Sequence, residues 1–129
     1  MFQVTVMHEF AAAHAIEIRG VREPIHGHNW RVHVTVSGPV LDSDGLLVDF
    51  HDLEQRVERL VRPFHNRSLN DVPPFDETNP TAEHVAKHLA ESLLPQMPPT
   101  VDRLSASVTE APGCIALCEV SRTVRRYSE

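Results

Sequence analysis

The sequence predicts an α+β fold, a four-stranded antiparallel sheet in the chain order ββααββ with both helices on one face. Three observations carry it. Period-two alternation marks residues 2–10, 28–36 and two stretches after residue 103; apolar recurrences at three- and four-residue spacing mark two middle segments; turn clusters separate them. The 129 residues read as one domain, with 41% hydrophobic and 23% charged residues, the balance of a soluble globule.

Phe2, Val4, Val6 and Phe10 alternate with Gln3 and Thr5, giving a first strand whose apolar parity His8 joins. Residues 16–25 carry Arg19, Gly20, Arg22, Glu23 and Pro24, a polar loop of the kind on which functional groups often sit. From His28 on, Trp30, Val32, Val34 and Val36 share one face of a second strand, opposite Arg31, His33 and Thr35. Ser37, Gly38 and Pro39 break it, and Asp42-Ser43-Asp44-Gly45 is a turn cluster.

Asp49 is the expected N-cap of a first helix, in which Phe50, Leu53, Val57, Leu60 and Val61 form the buried stripe until Pro63 stops it. Residues 64–80 read as loop. Asn79 is the expected cap of a second helix opened by Pro80, with Ala82, Val85, Ala86, Leu89, Ala90, Leu93 and Leu94 as its stripe. Pro95, Pro98 and Pro99 end it. Leu104, Ala106 and Val108 then alternate with Ser105, Ser107 and Thr109; Ala111-Pro112-Gly113 turns; and residues 116–124 make the last strand, with Ala116, Cys118, Val120 and Val124 aligned.

A formal charge of −6 argues against general nucleic-acid binding, which needs clustered Lys and Arg; the adjacent Arg125 and Arg126 read as a solvated terminal pair. No apolar run approaches membrane-spanning length and no signal-peptide pattern opens the chain, so a cytoplasmic protein without membrane partners is expected. Cys114 and Cys118 lack C-x-x-C spacing and read as small core residues.

Nine histidines invite a metal site. His26 and His28 share the buried parity of the second strand with only Gly27 between them, so both imidazoles point the same way. His14 ends the run Phe10-Ala11-Ala12-Ala13, and a hairpin between the two segments brings it beside the pair. Three neutral imidazoles with an open fourth position make a catalytic rather than a structural zinc site. His84 and His88 lie four apart on the second helix, but without H-E-x-x-H they read as a solvated face beside Glu83, Lys87 and Glu91. His8, His33 and His51 carry no assigned role. Glu110 stands out as a carboxylate on the buried parity of a strand, either reaching water at the strand end or accepting from a ligand with a fork of N–H donors, such as the amino-pyrimidinone edge of a pterin or guanine.

Phe10-Ala11-Ala12-Ala13-His14, His26-Gly27-His28-Asn29-Trp30, Gly45-Leu46-Leu47-Val48-Asp49-Phe50, Asn79-Pro80-Thr81-Ala82-Glu83 and Thr109-Glu110 together resemble the 6-pyruvoyltetrahydropterin synthases and the related 6-carboxytetrahydropterin synthases, in order and over nearly the whole chain. The resemblance implies the T-fold, a homo-oligomer (trimer or hexamer) with active sites between subunits, zinc (Zn2+) on His14, His26 and His28, and Glu110 as the pterin anchor. It implies a substrate of the dihydroneopterin triphosphate type, whose side-chain hydroxyls the metal polarises while protein groups move protons.

The proton-moving positions depart from the family. Arg22 stands where the family's catalytic cysteine precedes H-G-H, and an arginine stays protonated. The family's D-H-x-x-L-N loop reads His65-Asn66-Arg67-Ser68-Leu69-Asn70. In one reading the protein is an enzyme with altered chemistry: Glu23 takes the base role and His65 carries the proton, in a retro-aldol cleavage to 6-hydroxymethyldihydropterin as in some relatives. In the other it binds a pterin-like or purine-like ligand without turnover, Arg22 pairing with a phosphate or carboxylate on it. Zinc hydrolysis unrelated to pterins lacks an independently placed general base in the sequence.

Overall fold

The computed structural model describes residues 1–122; Val124, at the expected end of the last strand, and the Arg125–Arg126 pair lie outside the described residues. Strands β1 (Phe2–His14), β2 (Glu17–Ile18), β3 (Val21–Arg22) and β4 (His26–Gly38) are followed by helix α1 (Phe50–Val61), strand β5 (Arg67–Ser68), helix α2 (Ala82–Leu93) and strands β6 (Arg103–Ala111) and β7 (Cys114–Ser121). The main sheet has the order β5-β1-β4-β6-β7. The expected four antiparallel strands are all there, paired β1 with β4, β4 with β6 and β6 with β7.

The sheet has a fifth member, inside the stretch 64–80 expected to be loop. β5 adds in parallel to the end of β1, Arg67 opposite Ala12 and Ser68 opposite Ala13. Two residues are too few to display a strand period, so this one exists only through its pairing. The polar loop between β1 and β4 likewise folds into the small β2–β3 hairpin. Its turn residues Arg19 and Gly20 both have positive φ, 52° and 78°, as a two-residue hairpin turn requires.

Alternation decides which face is covered. Val6, Phe10 and Ala12 of β1, Trp30, Val32, Val34 and Val36 of β4, and Leu104, Ala106 and Val108 of β6 are all buried on one face. Against it lie Leu53, Val57 and Val61 of α1 and Val85, Ala86, Leu89, Ala90 and Leu93 of α2. Each fully buried Val or Leu is worth roughly 1.5–3 kcal/mol relative to exposure, so this single layer holds the fold together. Gly38 ends β4 where a Cβ would stand 1.8 Å from the Thr100 carbonyl oxygen, so only glycine fits.

Asp49 caps α1 as expected, accepting from the His51 N–H at 2.8 Å. The cap of α2 differs from expectation. Thr81, not Asn79, accepts from the His84 N–H, and the helix begins after Pro80. Asn79 is engaged elsewhere, its side chain exchanging two hydrogen bonds with the backbone of Glu17 at 2.8 and 2.9 Å. Three burial expectations are also corrected. Phe50 opens α1 facing solvent, 53% exposed. Cys114 is exposed next to the Gly113 turn, and Cys118 is only partly buried at the margin of the core. His84 and His88 are not simply solvated: His84 Nδ1 bonds the Asn79 carbonyl at 2.7 Å, and the His88 ring lies edge-on against both Phe64 and Phe75. Among the described residues, no helix is long and apolar enough to cross a membrane.

Candidate metal centre

The β1–β4 register builds the site. His14 is the direct partner of His26 and Ala12 that of His28, so the three imidazoles converge at the end of the hairpin on the helix-covered face. Pairwise ring centroids are 4.7, 4.8 and 5.2 Å apart. Trp30, fully buried one step further along β4, forms the floor beneath His14 and His28, and its indole N–H is held by the Ala12 carbonyl at 3.1 Å. The loop before α2 is tied to the site by Asn70, whose side chain accepts from the Ala15 N–H at 2.8 Å and donates to the Ala15 carbonyl at 2.9 Å.

Hydrogen bonds at the far side of two rings fix which nitrogen faces inward. His14 Nδ1 lies 2.8 Å from the Pro80 carbonyl and His26 Nδ1 3.0 Å from the Pro24 carbonyl. A carbonyl only accepts, so each Nδ1 carries its proton and each neutral ring presents a bare Nε2. These two Nε2 atoms stand 3.1 Å apart. His28 Nε2 is buried without a hydrogen-bond partner, and burial, outweighing the pull of Glu110, holds its pKa below the ordinary imidazole value, with His14 and His26 pushing the same way and Glu23 opposing. Converging lone pairs of neutral imidazoles repel unless a cation sits among them, and an N–H-to-carbonyl bond behind the ligating nitrogen is the usual support of a metal-bound histidine. The residues present therefore fit a metal ion.

Glu110 joins this group. Its Oε1 is 2.7 Å from His14 Nε2 and 3.2 Å from His28 Nε2. The four donor atoms of His14, His26, His28 and Glu110 all lie within 4.8 Å of one another. The parity anomaly was legible in the sequence; the direction of the carboxylate, into the histidines, was not.

The remaining candidates are placed differently. Glu23 reaches the rim of the cluster, its Oε1 3.6 Å from His26 Nε2 while accepting from the Ile16 N–H at 3.2 Å. His65 lies at the sheet edge, its Nδ1 accepting from the Ala11 N–H at 3.2 Å. Arg22 lines a separate cleft with Asn70, Asp76 and Glu77. Two surface hollows meet at Gly27, His28 and Asn29. One, of about 520 Å³, is floored by Ala11, Ala12 and Ala13 and walled by Asn66, Arg67 and Ser68; the other, of about 380 Å³, holds Glu110, Thr109, Arg31 and Pro112. The carbonyls of Pro24 and Pro80 are not legible in the sequence, because backbone acceptors leave no mark in residue identity; Trp30 and Asn70 stand in motifs quoted above, but their contacts with the site follow from the fold.

A profile of the family described as 6-pyruvoyl tetrahydropterin synthase (PTPS) matches residues 3–121. The chain is 32% identical over 101 residues to the dihydroneopterin monophosphate aldolase of Pyrococcus furiosus, spanning 78% of this chain and 82% of that one. It is 33% identical over 98 residues to the 6-carboxy-5,6,7,8-tetrahydropterin synthase of Bacillus subtilis, spanning 71% and 65%. The solved 6-pyruvoyl tetrahydropterin synthase of Plasmodium falciparum superposes with a TM-score of 0.80 over 94% of this chain and 98% of that one at 20% identity, a likeness of fold.

Proposed function

The chain belongs to the 6-pyruvoyl tetrahydropterin synthase family, with its T-fold, and from that premise we propose that it is a zinc-dependent lyase of pterin metabolism acting on a dihydroneopterin-type compound. The observation that carries the metal is the pair of bare Nε2 atoms of His14 and His26 facing each other at 3.1 Å. His14, His26 and His28 would hold the zinc, which when bound supplies Lewis-acid polarisation of side-chain hydroxyls. The likeness to an aldolase favours carbon–carbon cleavage over side-chain elimination.

Glu23 is the base of this reading. Its carboxylate at the rim of the cluster removes the proton from the hydroxyl beyond the breaking bond. The phosphorylated remainder leaves as an aldehyde, and the bonding electron pair passes into the ring imine. A proton returned to the ring-side carbon gives the 6-hydroxymethyl product. His65, with Nδ1 accepting from Ala11, offers its Nε2–H outward as a proton carrier. Glu110, on the wall of the hollow beside His28, accepts from the pterin's N–H fork. Assembly into a homo-oligomer belongs to the same reading: Met7 and Leu117, 70% and 61% exposed, lie in one cross-sheet row on the face away from the helices, and β7 ends the sheet.

A second reading, binding of a pterin-like or purine-like ligand without turnover, is favoured by Arg22 and Asn66 standing in the places of the expected cysteine and histidine. Chromatography of products after incubating zinc-loaded and metal-stripped protein with dihydroneopterin triphosphate, and in parallel with the monophosphate, separates the two. A zinc-dependent 6-hydroxymethyldihydropterin product supports the lyase. No product from folded, zinc-replete protein rejects turnover of these two substrates and moves the weight to a binding role or to an unrelated heterocyclic substrate.

A further inference from the structure

Glu110 occupies a place that an anchor for a distant ligand has no need to occupy. Its side chain is 25% exposed and lines the open hollow, yet its Oε1 is turned inward to within 2.7 Å of His14 Nε2 and 3.2 Å of His28 Nε2. With its Nδ1–H given to Pro80, a neutral His14 has no proton on Nε2 to offer that carboxylate. Donors bound tetrahedrally to one zinc ion at about 2.0–2.1 Å stand roughly 3.3 Å apart. The His14–His26 and His28–Glu110 separations of 3.1 and 3.2 Å are close to that spacing, the His14–Glu110 separation of 2.7 Å is clearly shorter, and all four donor atoms fall within 4.8 Å of one another.

Resting on the zinc reading above, we infer that Glu110 is the fourth metal donor of the ligand-free protein, and that ligand entry draws it off the metal. The backbone gives it the means. The β6–β7 register shifts between Thr109 and Ala111, so Glu110 sits at an irregularity that re-aims its side chain, beyond the last residue that pairs with β4. Thr109, Glu110 and Pro112 line the same hollow as His28. A ligand entering there with adjacent N–H donors offers the carboxylate a charge-assisted pair of hydrogen bonds in exchange for the metal. The position so released would be open to the ligand's own oxygen atoms. A ligand without the N–H fork leaves the site closed, so recognition of the heterocycle and opening of the metal become one event.

The test is the visible absorption of the cobalt(II)-substituted protein with no pterin present, together with cobalt and zinc affinities measured against a competing chelator. Wild type, Glu110→Ala and the isosteric Glu110→Gln are compared, with thermal melting as the check on folding. The expected result is a changed ligand-field spectrum in both variants and an affinity lowered on the order of 10-fold or more. Adding neopterin to the wild type is expected to shift its spectrum, and to leave the Glu110→Ala spectrum with a smaller shift. Spectra and affinities of folded variants equal to wild type overturn the proposal and leave Glu110 as a ligand anchor only. Should folded wild type take up neither metal, the zinc reading itself fails, and the inference with it.

Discussion

His14 Nε2 faces His26 Nε2 at 3.1 Å across the β1–β4 pair, and the opposite nitrogen of each ring donates to a proline carbonyl. Because those carbonyls belong to segments before β4 and before α2, a metal between the rings ties three parts of the chain together. Metal removal is therefore expected to lower the melting temperature, since a ligand at 1,000 times its Kd adds about 4 kcal/mol. His26→Ala is expected to lose bound zinc and with it that increment. Elemental analysis and melting with and without chelator check both; unchanged zinc content in the variant would remove His26 from the ligand set.

Glu23 stands 3.6 Å from His26 Nε2 but lends its Oε1 to the Ile16 N–H, while its own backbone N–H donates to the Ile16 carbonyl at 3.0 Å, so Ile16 holds it at the rim. Glu23→Gln keeps an oxygen for Ile16 and removes the basic carboxylate. The expected outcome is a kcat lowered on the order of 10²-fold or more with KM and zinc content little changed. Steady-state kinetics decide, and full activity in the variant rules out Glu23 as the base.

Much of the site was legible because strand parity is a rigid geometric rule. His26 and His28 had to share a face, and His14 could reach them only through the hairpin that β1 and β4 form. β5 was not legible, since two residues carry no period and its place follows from Asn66 bonding the Ala11 carbonyl at 2.6 Å and from its parallel pairing with β1. The α2 cap was misplaced because Asn79 and Thr81 are both competent caps, and the choice was settled by the distant Glu17 backbone taking up the Asn79 amide. The burial of His88 depends on Phe64 and Phe75, which lie in a stretch with no pattern of its own. The inward turn of Glu110 depends on a register shift between two strands, a property of pairing rather than of either sequence.

Gly38 closes β4 against the chain before β6, where the Thr100 carbonyl oxygen would stand 1.8 Å from an added Cβ and Leu47 Cδ1 2.8 Å from it. Backbone cannot step aside as a side-chain end can. Gly38→Ala is expected to destabilise the protein by about 1–3 kcal/mol, the range for overpacking a filled interior. Denaturant titration checks the loss, and a variant as stable as wild type would show that the Thr100 segment moves freely.

His88 lies edge-on to Phe64 and Phe75, with ring centroids 5.9 and 5.6 Å away, and burial holds its pKa below the ordinary imidazole value against the opposing pull of Glu91. The folded protein thus binds fewer protons at His88 than the unfolded chain does. Its contribution to stability is intact above the unfolded pKa of about 6.5 and is lost as pH falls through that value toward the lower folded one. His88→Gln removes the titration, so stability measured between about pH 7.5 and 5.5 is expected to fall less steeply in the variant than in wild type. His28, also held low chiefly by burial, keeps its contribution in both proteins, so the difference in slope belongs to His88. Parallel slopes would show that His88 takes up its proton as readily folded as unfolded, and that the two phenylalanines do not exclude the charged ring.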